Sequence, residues 1–505
     1  MLRAGGSPFD FPVLVEIMQA RLIKYLKRTL LLLAVVGATL LGVRAWDSQR
    51  GAELALWHTY VPREMHVDAL DRADWAAYLA AEEAIFRTLK AEVVDRLDEE
   101  SRMPGNRYFA GSPIHPGNFA RDWNRSYILE PDGTPTGVVV MLHGLTDSPY
   151  SLRHIGRRYR DAGFVVVAIR LPAHGTVPAA LTDVQWEDWM AATRLAVREA
   201  RRRTQAPLHI VGFSNGGALA MKYALDALDD NSLPRPDRLV LISPMIGITS
   251  FARFVGFAEL PAMLPAFAKA AWLGIVPEFN PFKYNSFPVN GARQSHRLTV
   301  ALQDRIARAA RDGRLERLAP VLTFQSVADF TVSTRAIISA LYDQLPANGS
   351  ELVLFDINRS AAIGPLLRSA SETVLSRLLG DPPRKFRLTI ITNASADRND
   401  VVEQVTEAGA TSQQIRELPL SFPPGIFSLS HVALPFPMTD DLYGLTPDKS
   451  EDFGVNLGAL APRGERGVLI VNLDSLLRVS SNPFFPYLMD RIAEGMVEGA
   501  KPGGR

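Results

Sequence analysis

A serine flanked by glycines where a strand runs into a helix is placed to act as a nucleophile, and Gly212-Phe213-Ser214-Asn215-Gly216 lies at such a junction. Ahead of it runs the strand-like Leu208-His209-Ile210-Val211, and behind it the helix-like Ala218-Leu219-Ala220-Met221. A tight turn there strains the serine backbone and projects its hydroxyl, while the glycines let strand and helix approach without a Cβ clash. A serine hydroxyl is a weak nucleophile at its own pKa, so the implied chemistry is attack on an acyl carbonyl with help from a base. The pentapeptide alone also fits a Gly-rich turn with a solvated serine, and the rest of the chain has to decide between the two.

Two further strand ends precede it. Val138-Val139-Val140-Met141-Leu142 reads as a fully buried strand and ends at His143-Gly144-Leu145-Thr146-Asp147-Ser148-Pro149. Phe164-Val165-Val166-Val167-Ala168-Ile169 runs into Arg170-Leu171-Pro172-Ala173-His174-Gly175-Thr176. In that order, the His-Gly loop, the Leu-Pro-Ala-His-Gly-Thr loop and the Gly-Phe-Ser-Asn-Gly turn resemble the α/β-hydrolase superfamily, closest to its carboxylesterase and monoacylglycerol-lipase-like branch. The resemblance covers residues 125–445. It implies an α/β fold with a mainly parallel sheet flanked by helices, an inserted helical cap, and a serine, acid, histidine triad in that chain order.

In this family the developing oxyanion is met by two backbone N–H groups, which here would be those of Leu145 and Asn215. The triad acid sits at a strand end after the nucleophile. Pro320 to Ala328 forms such a strand and delivers Asp329, whose other reading is a helix N-cap ahead of Ser333-Thr334-Arg335. Asp397 and Asp400, after the strand-like Leu388 to Asn393, fit the family pattern as well and stand as alternative acids. Choosing Asp329 leaves an unusually long stretch before the base, which an added β-α-β segment over residues 358–420 accounts for. The base is His431 in Ser430-His431-Val432, the one histidine C-terminal to Asp329. His143 and His174 read as loop-holding residues.

The implied reaction is hydrolysis of carboxylic esters, lipid-like ones among them, through an acyl-enzyme on Ser214. The same triad serves acyl transfer, thioester or amide cleavage, and the fold also occurs as a catalytically silent binding module. No His, Cys, Asp or Glu cluster has metal-ligand spacing, and no nucleotide fingerprint accompanies the glycines, so neither metal nor cofactor is expected. A net charge of +1 gives no electrostatic footprint for nucleic acid, and the absence of cysteine excludes disulfides and a thiol nucleophile.

The 505 residues exceed what one such domain needs, and 47% hydrophobic content supports a large core. Thr29 to Val43 is uncharged and follows Arg21, Lys24, Lys27 and Arg28. It spans ~22 Å as a helix against a hydrocarbon core of ~30 Å, so residues 1–46 read as a signal cleaved near Val43-Arg44-Ala45 or as an uncleaved anchor with its basic flank in the cytoplasm. Either way the catalytic domain is expected outside the cytoplasm, tethered or exported. Residues 47–124 form a helical extension in which Trp75, Leu79, Phe86, Leu89, Val93 and Leu97 share one face of a helix over 71–97, with a Gly- and Pro-containing linker over 102–118. The Asp132-Gly133 turn predicts an opening hairpin after Tyr127-Ile128-Leu129.

Residues 249–318 interrupt the strand pattern where this fold commonly inserts its cap. Phe254, Phe257, Leu260 and Phe267 are candidates to line an acyl-chain pocket, or else form the core of the cap itself. Asn280 to Asn285 reads as an irregular loop overhanging the serine. After His431, residues 446–505 form a covering extension, with a strand at Val468 to Val471 and a helix over Phe484 to Met496.

Overall fold

The computed structural model describes residues 11–247, 261–360, 374–460 and 478–498. Twelve strands form in these regions: β1 (Tyr127–Leu129), β2 (Gly137–Leu142), β3 (Phe164–Ile169), β4 (Leu208–Phe213), β5 (Arg238–Ile242), β6 (Trp272–Gly274), β7 (Phe287–Pro288), β8 (Val321–Ser326), β9 (Glu351–Phe355), β10 (Arg387–Asn393), β11 (Asp400–Thr406) and β12 (Gln414–Ser421). Ten of them make one sheet in the order β1-β3-β2-β4-β5-β8-β9-β10-β11-β12, and β6 pairs with β7 apart from it. All pairings from β3 to β10 are parallel, while β1, β11 and β12 join antiparallel.

Successive residues of the central strands enter opposite cores. Val138, Val140 and Leu142 pack on one face with Leu208, Ile210, Leu239 and Leu241, whereas Val139 and Met141 pack on the other with Val211, Phe213, Val240 and Ile242. Burial on both faces is what makes these strands uninterrupted apolar runs. Helices Trp186–Arg203, Asn215–Asp226 and Val289–Arg311 cover the first face, and Phe485–Glu498 covers the second beside Arg153–Asp161.

Several expectations are corrected. Tyr127–Leu129 forms no hairpin with β2; it crosses over to pair with β3, and Gly133, at φ 86°, turns the chain without hydrogen-bonding the two strands it connects. The helix expected over 71–97 is broken at Asp74, whose carboxylate accepts the Ala77 N–H at 2.8 Å and starts Trp75–Glu92. Its buried stripe is Trp75, Tyr78, Glu82, Ile85 and Leu89, with Leu79 and Phe86 only half-buried. Glu82 belongs to that stripe because Arg170, buried beneath it, donates from Nε at 3.0 Å and also pairs with Glu64 at 2.8 Å. Residues 102–118 are irregular but packed, with Tyr108 and Ile114 buried and the Arg107 N–H on the Glu278 carbonyl at 3.0 Å. They are not a free linker.

Over 358–420 the described chain adds helix Val374–Leu378, parallel β10 and the antiparallel pair β11–β12, so Asp400 begins a strand. The proposed strand Val468 to Val471 lies outside the described residues. At the N-terminus a single helix, Phe11–Ser48, contains the 31-residue stretch Met18–Ser48, whose most apolar window has a mean hydropathy of 1.8 and is not buried. By length and composition it can cross a membrane or serve as a signal.

Candidate active site

β4 ends at Phe213 and the helix Asn215–Asp226 begins two residues later, leaving Ser214 alone in the turn at φ 54°, ψ −114°. That conformation is costly for a residue with a Cβ. It is held by the Ser214 N–H on the Ile242 carbonyl at 2.9 Å and by the Met245 and Gly217 N–H groups on the Ser214 carbonyl at 2.9 and 3.0 Å. The flanking glycines are sterically required: a Cβ on Gly212 would stand 2.4 Å from the Gly216 carbonyl oxygen, and one on Gly216 would stand 1.9 Å from that of Leu142.

Ser214 Oγ lies 2.9 Å from His431 Nε2, and His431 Nδ1 lies 2.8 Å from Asp329 Oδ2. The other carboxylate oxygen of Asp329 accepts the Thr331 and Val332 N–H groups at 2.7 and 3.0 Å. Burial, the largest single influence, raises the Asp329 pKa, yet the bond to His431, its charge and those two N–H groups together outweigh it and hold the carboxyl below its usual range. The helix N-cap at this point is Ser333, whose hydroxyl accepts from Ala336 N–H at 3.1 Å, so Asp329 is not consumed in capping. Asp400 instead pairs with Arg398, and Asp397 bonds Ser395, in the exposed turn that joins β10 to β11; neither has a hydrogen bond or ion pair with His431.

The loop carrying His431 is fixed from below. Ser326, at the end of β8, donates to the Leu429 carbonyl at 2.8 Å, and Asn358, beyond β9, binds the carbonyls of Ile426 and Phe427. The imidazole stacks on Phe213 with centroids 5.3 Å apart.

Among the described residues the N–H groups of Leu145 and Asn215 have no protein acceptor, Asn215 being the first residue of its helix. The Leu145 peptide is aimed by His143. The Leu171 N–H donates to His143 Nε2 at 3.0 Å, which leaves the ring proton on Nδ1 to donate to the Gly144 carbonyl at 2.9 Å. That carbonyl and the Leu145 N–H belong to one peptide plane and point opposite ways. Burial, with His174 and Arg170 nearby, pushes the His143 pKa well down, so the ring is neutral as this bonding needs. His174 is held near 4 by burial and bonds the Pro172 carbonyl at 3.0 Å. Both histidines hold loops, as expected.

A cavity of about 400 Å³ opens over Ser214 between Leu145, Met245, Phe287 and Val432, with Lys283, Tyr284 and Asn285 overhanging it. The loop Asn280 to Asn285 thus stands where the sequence placed it. Phe254, Phe257 and Leu260 lie outside the described residues. Phe267 does not line the cavity: its segment, Pro265–Ala271, turns instead toward the end of the N-terminal helix, where Gln49 donates to the Ala266 carbonyl at 3.1 Å and Arg44 to that of Ala270 at 3.2 Å. Backbone carbonyls left free by the irregular turn are what these polar side chains bind. Lys283, Arg478 and Asp147, which the sequence did not single out, line the cavity directly.

The family model described as Serine aminopeptidase, S33 matches residues 133–358. The matched segment, less than half of the chain, carries the α/β-hydrolase fold. The protein is a serine hydrolase of the carboxylesterase and lipase kind. A thermostable monoacylglycerol lipase from Bacillus sp. (strain H-257) is 26% identical over 199 residues, covering 39% of this chain and 72% of that one. Among solved structures, one reported for the metagenome-derived lipolytic enzymes LipS and LipT covers 50% of this chain and 95% of its own at 22% identity and TM-score 0.37. The monoacylglycerol lipase of Paleococcus ferrophilus covers 50% and 99% at 22% identity and TM-score 0.33. The family match leaves residues 1–132 and 359–505 on either side of it.

Proposed function

We propose that this α/β-hydrolase cleaves carboxylic esters, monoacylglycerol-like lipids among them, with Ser214 as nucleophile, His431 as general base and acid, and Asp329 as the carboxylate that orients the histidine. The observation that carries this reading is the unbroken chain of contacts from Ser214 Oγ through His431 to Asp329, at 2.9 and 2.8 Å. His431 takes the hydroxyl proton as Ser214 attacks the ester carbonyl, and the ionised Asp329 stabilises the imidazolium that forms. The N–H groups of Leu145 and Asn215 receive the tetrahedral oxyanion. Collapse expels the alcohol, protonated by His431. Water activated by the same histidine then releases the acid.

Lipid-like substrates are supported by the apolar residues lining the cavity and by the activity named for the Bacillus relative. We further assign the N-terminal helix as an anchor that leaves the hydrolase outside the cytoplasm. Arg21, Lys24, Lys27 and Arg28 precede its apolar run, and the segment after it carries no net positive charge. Full-length protein in detergent, assayed with p-nitrophenyl butyrate and a monoacylglycerol, tests the reaction: turnover of both is expected, and turnover of neither, in a folded preparation, contradicts it.

A further inference from the structure

A second cavity of about 270 Å³ shares part of its wall with the one over Ser214, and Lys283, Arg478 and Asp147 line both. Asp147 is the one carboxylate among the described residues lining either space. Its Oδ1 is already engaged by the Ser148 N–H at 2.9 Å. Lys283 is half-buried, and no carboxylate among the described residues forms an ion pair with it. Burial lowers its pKa; Asp147 opposes that and Arg478 adds to it, which places the two cations close enough to repel. Arg478 reaches across the rim to Thr331 Oγ1 at 3.3 Å, two residues beyond the triad acid.

A cation drawn out of water beside a second cation is unfavourable unless an anion compensates it. Here the described protein supplies one buried carboxylate against two cations, in the space a substrate must enter. Resting on the ester-hydrolase reading above, we infer that Lys283 and Arg478 form a subsite for a carboxylate or phosphate group carried by the substrate. The enzyme then selects anionic esters over neutral ones of the same length. The apolar lining at Met245, Phe287 and Val432 takes the hydrocarbon part, and the two cations take the charged end.

The test compares kcat/KM, for full-length protein in detergent at low salt, within two matched pairs. One is p-nitrophenyl butyrate against mono-p-nitrophenyl glutarate, with the charge on the acyl side. The other is a monoacylglycerol against the acylglycerol phosphate of the same chain, with the charge on the alcohol side. A preference for the anionic member of at least one pair by about tenfold or more is expected from one charge-assisted contact. The pair that shows it tells on which side of Ser214 the anion lies. Lys283→Gln should bring that ratio toward one through KM, Arg478→Gln should lower it, and Lys283→Arg should keep most of it. Wild-type enzyme that prefers the neutral member of both pairs overturns the subsite, as does a ratio unmoved by Lys283→Gln. The wild-type comparison stands even where a variant fails to fold. Neutral-ester turnover without anionic preference counts against the subsite alone, whereas no turnover of any ester counts against the reading beneath it.

Discussion

His431 Nδ1 and Asp329 Oδ2 stand 2.8 Å apart although 102 residues separate them in the chain. Those residues hold β9, β10, β11 and β12, so the sheet grows by four strands before the chain returns to deliver the histidine. The return is secured by Ser326 and Asn358, which bind the loop just ahead of His431.

Asp329→Asn should therefore lower kcat by about four orders of magnitude while leaving folding intact, since an amide favours the wrong histidine tautomer. Asp397→Asn and Asp400→Asn should stay near wild type. Steady-state kinetics with circular dichroism as the folding control checks all three.

How much of this was legible in the sequence depended on where the information lay. The central strands were legible because burial on both faces writes an unbroken apolar run, and Ser214 because its strained turn demands glycines within two residues. The acid was not fixed. Which strand end faces the histidine depends on how many strands intervene, and Asp329, Asp397 and Asp400 all follow apolar runs. Tyr127–Leu129 was misassigned because a turn signal reports where the chain reverses and not which strand it then pairs with. Glu82 broke the expected stripe for a reason 88 residues away, at Arg170. Lys283 and Arg478 gave no local signal, because a single cation in a polar loop reads as a solvated one.

His143 is predicted to act by aiming a peptide. His143→Phe keeps the ring volume but loses both bonds, to the Leu171 N–H and the Gly144 carbonyl. Misdirecting one oxyanion donor should cost about ten- to a hundredfold in kcat with little change in KM. Because the ring is neutral in its resting state, the remaining activity should keep the wild-type pH profile. Pre-steady-state kinetics with a chromogenic ester separates the two parameters.

Asp147 is raised to about 6, chiefly by burial, with Lys283 and the Ser148 N–H working against the rise. A carboxyl whose folded pKa exceeds its unfolded value favours folding when protonated, and that contribution is lost as pH rises from about 4 through about 6. Asp147→Asn should therefore be more stable than wild type at pH 7.5, on the order of 2 kcal/mol, and no more stable at pH 4. Thermal melts at the two pH values give the sign.

The proposed topology rests on Arg21, Lys24, Lys27 and Arg28, which precede the apolar run within the N-terminal helix. Alkaline phosphatase fused after residue 60 should be active, and the full chain should resist carbonate extraction. An inactive phosphatase fusion together with an active cytoplasmic reporter at the same site would reverse the assigned orientation.

The central claim is that Ser214 is the activated nucleophile of a triad with His431 and Asp329. Fluorophosphonate labelling of the full-length protein, with the modified residue located by peptide mass spectrometry, tests it most directly. The adduct is predicted on Ser214 alone, formed more slowly by orders of magnitude in His431→Ala and absent in Ser214→Ala. Labelling that persists in Ser214→Ala, or that proceeds at the wild-type rate without His431, would contradict it.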